Sequence, residues 1–234
     1  MSARTLVRTT GTALIVLGVV ALAWGFVTWK WGDPLTSAYT SWQQRKLSRE
    51  YNSLVSTYRP ARRTTTSSRR RVVRPLDVAA LRFRKHAHSG QAIGRIHVDR
   101  LDLDMVLVEG TDGDSLRKGP GRDRRTYMPG EGQLVYIAGH RTTFGAPFAH
   151  IDSLRRGDRV VVQMPYGRFV YGVTGSVIVP ADDLARLRTH GREVIALQAC
   201  HPRFSARERY IVYAAPVRPS PARAAAHAAV NNTG

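Results

Sequence analysis

From Thr9 to Trp29 the chain carries no charged residue, reading TTGTALIVLGVVALAWGFVTW, and this stretch constrains everything that follows it. Its 21 residues, at a helical rise of about 1.5 Å each, match a hydrocarbon core of about 30 Å, so one membrane-crossing helix is expected. Arg4, Arg8 and the α-amine precede the run, Trp24, Trp29 and Trp31 mark its far end as interfacial anchors, and no small-x-small cleavage site follows. Residues 1–31 are therefore expected to form a cytoplasmic N-terminus and an uncleaved anchor in the cell membrane, a single pass with the remainder outside the cell. A signal peptide is the competing reading and exports the remainder equally well, but the run exceeds the usual apolar region of about 7–15 residues.

Residues 32–89 read as a connector. The first part, SAYTSWQQRKLSREYNSLVSTY, spaces Leu, Val, Tyr and Trp as a juxtamembrane helix would. The stretch from Arg59 to Pro75, RPARRTTTSSRRRVVRP, has almost nothing apolar to bury and is expected to be a solvated, self-repelling linker. The whole chain sets 36 Lys and Arg against 17 Asp and Glu, a formal net charge of +19. Such an excess calls for a polyanion nearby, and the linker would tether to anionic wall polymers or lipid phosphates, or act simply as an extended spacer. Nucleic acid would need a cytoplasmic domain and a recognition motif with interleaved aromatics, neither of which the sequence supplies, so it is not expected as a partner.

From Gly90 the texture changes. AIGRIHV, MVLVEG, QLVYIAG, DRVVVQM, RFVYGVTGSVIV, EVIALQA and YIVYAAPV are short runs rich in Val, Ile and Tyr, separated by Gly, Pro and Asp clusters. Residues 90–217 thus read as an all-β barrel or sandwich, with helical turns in TDGDSLRKG and in PADDLARLRTHG, where Asp182 or Asp183 would cap. The Pro- and Ala-rich residues 218–234 are expected to be a disordered tail. Acidic residues are scattered, and TDGDS is too short for a calcium loop, so no metal and no cofactor are expected.

Cys200 is the only cysteine. In an exported protein an unpaired thiol contributes nothing to a disulfide framework, which makes it a candidate nucleophile rather than only a small buried hydrophobe. It closes an apolar strand and is followed by the turn HPRFS, a rim position of the kind that carries sites. A thiol nucleophile needs a base or cation beside it. Of eight histidines, His86, His88, His190 and His227 lie where solvent is expected, His97 and His150 have ordinary surface readings, and His201 points away from its neighbour Cys200. His140 stands apart, ending a strand in YIAGHRTTFGAPF, with Gly139 allowing a close backbone approach. A fixed cation for developing negative charge would come from Arg207 or Arg209, which alternate on entry to the last strand and which spacing does not separate.

Together AIGRIHVDRLDLDMVLVEG, AGHRTTFGAPF and ALQACHPRFSARERYIVYA resemble a sortase, the membrane-anchored cysteine transpeptidase of Gram-positive bacteria, and GHRTT with CHPRFSARER is most like the actinobacterial class E. The resemblance spans Gly90 to Val217 with the motifs in the family's order. It implies an eight-stranded barrel behind an N-terminal transmembrane helix. It implies His140, Cys200 and Arg209 as the catalytic residues, which selects Arg209 over Arg207. It implies a reaction in which Cys200 attacks the Thr carbonyl of an LPXTG- or LAXTG-like signal on a secreted protein, forms a thioacyl enzyme, and passes the protein to an amine of a peptidoglycan precursor.

Two positions depart from the family. Its TLxTC becomes ALQAC, so Ala196 and Ala199 replace two threonines, Ala199 standing beside the nucleophile as a substrate contact. Class E members read GPGHY, with the Tyr linked to LAXTG preference; here GPG is followed by Arg122 and Asp123, which makes Asp123 the candidate substrate-binding residue for another preference. Those alanines also leave open a catalytically weak or inactive barrel that binds the wall through its basic charge.

Overall fold

A computed structural model describes residues 3–31, 34–58, 75–188 and 191–217. Helix α1 (Ala3–Trp31) contains the apolar stretch Val7–Phe26, long enough and apolar enough to cross a membrane and wholly unburied by the rest of the chain. Helix α2 (Pro34–Thr57) and helix α3 (Pro75–His86) follow, then eight strands: β1 (Ala92–Val98), β2 (Leu103–Glu109), β3 (Gly121–Arg122), β4 (Leu134–Ala138), β5 (Arg159–Met164), β6 (Gly167–Pro180), β7 (Val194–His201) and β8 (Glu208–Pro216). The basic stretch 59–74, His190 and the tail 218–234 lie outside the described residues.

The strands close into a barrel in the order β1-β2-β3-β4-β7-β8-β6-β5. Alternation along each strand drives the closure. On β7, Ile195, Leu197 and Ala199 point inward with Val135 and Ile137 of β4 and Val212 and Ala214 of β8, all buried. Each large apolar side chain so buried contributes roughly 1.5–3 kcal/mol. The opposite face of the same strands carries a second buried layer, Leu134, Tyr136, Val179, Ala196 and Ile211. A sheet apolar on both faces needs a cover outside, and the turn Leu184–Leu187, capped by Asp183, supplies part of it through Leu187.

The two later helices belong to this body. Ala80 and Ala87, in and just after α3, are buried in the main core. On α2, Leu47 and Tyr51 are buried against Ala92, Val106 and Val108. The Gln44 amide on α2 accepts from Val106 N at 2.7 Å and donates to the carbonyls of Val106 and Lys118 at 3.1 and 2.8 Å, pairing β2 as another strand would. Packing is thus continuous across Gly90: the barrel wall buries Leu47 and Tyr51 of α2 and Ala80 of α3, while Trp42 and Leu76 stay exposed.

Candidate active site

Strands β4 and β7 are parallel neighbours, paired from Leu134 with Val194 to Ala138 with Gln198. Parallel strands end at the same rim. Gly139 N extends the ladder by donating to Gln198 O at 3.0 Å, and the next positions in that register are His140 and Cys200. On the other side of β7, the antiparallel ladder sets Arg209 of β8 directly opposite Cys200. Such directly opposed side chains stand about 4.5–5.5 Å apart at Cβ. Register alone thus brings His140, Cys200 and Arg209 to one end of the outer sheet face.

All three line one groove of about 270 Å³, floored by Tyr136, Val179 and Ile211 and walled by the Asp183–Leu187 turn. Cys200 is a half-buried free thiol. Arg209 donates to the carbonyls of Ala206 and Glu208 at 2.9 and 3.0 Å and, among the described residues, pairs with no carboxylate, so its charge stays available to an anion in the groove. Arg207, the other candidate cation, is exposed and absent from the groove lining.

His140 is partly buried and its Nε2 has no hydrogen-bond partner among the described residues. Burial, assisted by the charge of Arg117, holds its pKa below 6.5, so near neutrality the ring is mostly uncharged. Gly139 is required before it: a Cβ there would come within 2.7 Å of the Phe148 ring, whose backbone N closes the loop onto His140 O at 3.1 Å.

Asp123 lies in the same groove, nearly fully buried, and is bound by Arg125 at 2.6 Å. Burial favours its neutral form, but the Arg125 hydrogen bonds and charge outweigh that and keep the carboxyl ionised below its ordinary range. Ala199, expected as a substrate contact, is elsewhere: it is fully buried among the inward residues of β7, and alternation turns its side chain to the face opposite Cys200. Ala196 instead belongs to the buried layer of the outer face.

Arg141 could not be singled out in a sequence so rich in arginine. It is buried, donates to His201 Nδ1 at 2.8 Å and pairs with Asp152 at 2.8 Å. The residue after His140 thereby grips the residue after Cys200. Phe144 also escaped notice, although its ring lies 5.1 Å from that of His140.

The sortase domain family model matches residues 96–217. The chain is 35% identical to sortase D of Bacillus subtilis over 130 residues, covering 53% of this chain and 64% of that one, so it spans somewhat less than two thirds of this relative's length. The structure of sortase E1 from Streptomyces coelicolor, solved with a tripeptide in its active site, superposes with a TM-score of 0.51 at 28% identity over 55% of this chain and 90% of that one. A sortase D5 from Clostridium perfringens shares the fold, with a TM-score of 0.60 at 22% identity over 75% of this chain and 99% of that one.

Proposed function

Because the chain belongs to the sortase family, we propose that it is a cysteine transpeptidase, anchored by α1 with residues 1–31 as cytoplasmic tail and span, whose catalytic groups are Cys200, His140 and Arg209. The observation that carries this reading is the convergence of those side chains on one groove from three strand ends. The Cys200 thiolate adds to the Thr carbonyl carbon of a sorting signal, and the oxyanion so formed is met by the Arg209 guanidinium. Collapse of that intermediate breaks the Thr–Gly peptide bond, with the His140 imidazolium giving its proton to the departing amine. A thioester remains. An incoming amine, of a peptidoglycan precursor, then attacks it while neutral His140 takes the amine's proton, and the thiolate is released. The low pKa of His140 makes its imidazolium a strong acid but a minor species near neutrality.

Both class D and class E relatives match, so the signal is better argued from the groove than from a class name. Asp123 with Arg125 gives the groove a charged, polar wall, and we assign to it the second position of the signal. The natural substrates are then secreted proteins bearing an LPXTG- or LAXTG-like signal, and the basic stretch 59–74 offers contact with anionic wall polymers.

The full chain in detergent, given signal peptides varied at the second position and an amine acceptor, should cleave after Thr and capture the amine, as read by mass spectrometry. An Asp123→Tyr variant should change the rank order of the peptides. Intact peptides throughout, from folded protein, would leave the barrel as a wall-binding module. Arg209→Ala should lower kcat by about 100- to 1000-fold, the usual cost of losing an oxyanion donor. A change confined to KM would remove Arg209 from the chemistry.

A further inference from the structure

The loop that presents His140 closes on itself through Phe148 N to His140 O, but its tip is held from elsewhere in the chain. Phe144, Gly145 and Ala146 have φ of 51°, 71° and 41°, three consecutive residues in the left-handed region. Glycine adopts it freely, but an aromatic residue does so only where its surroundings impose it. Those surroundings come from α2, about a hundred residues earlier in the chain. The Phe144 N–H donates to Thr36 Oγ1 at 2.8 Å, and the Tyr39 ring meets the Phe144 ring edge-on at 6.4 Å. Thr40, buried one turn along, donates to Arg117 O at 2.9 Å, and its methyl lies 3.4 Å from where a Cβ on Gly145 would stand. The Arg117 guanidinium lies 5.9 Å from the Phe144 ring centre. The outcome is a stack in which the helix holds Phe144 and Phe144 backs the imidazole at 5.1 Å.

We propose that α2 is a working part of the active site: through Thr36 and Tyr39 it fixes Phe144, and Phe144 is the positioning residue for the His140 ring. This rests on His140 being the acid–base group of the reaction. The juxtamembrane helix, whose sequence alone gives no role, thereby acquires one beyond linking span to barrel. Charged and titratable groups around the ring are Arg117 behind Phe144, and Cys200, Arg209, Tyr136, Asp123, Arg125 and Asp183 lining the same groove. Of these, Arg117 joins burial in depressing the His140 pKa, so a loosened stack that admits water should raise it.

The test uses the full chain in lipid nanodiscs with carbon-13-labelled histidine, comparing native protein with Thr36→Val, Phe144→Ala and Phe144→Tyr. In the native protein His140 should titrate below pH 6.5. Thr36→Val and Phe144→Ala should move the midpoint upward and reduce kcat on the order of tenfold or more with little change in KM, as expected of a misplaced catalytic group. Phe144→Tyr keeps the stack and should restore both quantities. Thr36→Val removes a single hydroxyl on α2 and leaves the Phe144 ring in place, so it serves even where Phe144→Ala fails to fold. An unmoved midpoint, or an unmoved kcat in an active enzyme, overturns the proposal. If the native chain transfers no peptide yet the midpoint moves as stated, the transpeptidase reading falls and the grip of α2 on His140 stands.

Discussion

Cys200→Ala should eliminate transpeptidation, by about 10⁴-fold or more, while leaving the circular dichroism spectrum and melting profile close to native. The fold tolerates the change because Cys200 is half-buried on the outer face, whereas the inward partners of β7 are Ile195, Leu197 and Ala199. The proposed chemistry should not tolerate it, because no other thiol exists in the chain and, among the described residues, Cys200 is the groove residue paired opposite Arg209. Mass spectrometry of the native protein with a signal peptide should show an adduct equal to the acyl portion of the peptide. The alanine variant should show none. Residual turnover above one part in a thousand would exclude Cys200 as the nucleophile.

The largest stability effect is expected at Glu109. Arg122 and Glu109 are each about 1% exposed and form a two-pronged ion pair between the paired strands β2 and β3. Arg122 also donates to the carbonyls of Thr126 and Asp123 at 2.6 and 3.1 Å, so one guanidinium ties β2 to the segment that carries the groove wall. Glu109→Ala leaves that cation buried without its counter-charge, at a cost of about 3–5 kcal/mol. Set against a typical total stability of roughly 5–15 kcal/mol, this is a large loss. Melting should fall on the order of 10 °C, measured by calorimetry on the detergent-solubilised chain. Replacing both partners with apolar residues of similar volume should recover much of the loss, since it removes the stranded charge. A double variant as unstable as Glu109→Ala would show that the pair's remaining hydrogen bonds matter more than its charges.

Much of this molecule is legible in the amino-acid order. Seven of the eight strands coincide with Val-, Ile- and Tyr-rich runs, because a strand that packs at least one face on the core favours such residues. β3 escaped, being only Gly121–Arg122, too short for any periodicity. α3 escaped because PLDVAALRFRKH follows an arginine-rich stretch and its few apolar residues gain meaning only against the barrel. At the site, Cys200 was visible by its uniqueness and His140 by its place after a strand and a glycine. Choosing Arg209 over Arg207 took a resemblance, and the register of β7 with β8 sets Arg209 across from the thiol. Ala199 turns into the core, away from the face of Cys200, because adjacency in sequence is opposition in a strand. Phe144 and Arg141 gave no signal, since their meaning lies in partners about 108 and 60 residues away.

That distance bears on the order of assembly. The pairing of β4 with β7, and the bond from Arg141 to His201, join segments separated by 60 residues. Contacts of such long range, in parallel register, form slowly, after the local hairpins β5–β6 and β7–β8 have had every opportunity to close. Until they form, the imidazole and the thiol belong to different parts of an open sheet. On the proposed mechanism, chemical competence arrives with the closing of the barrel, and a half-folded chain holds its thiol apart from its histidine.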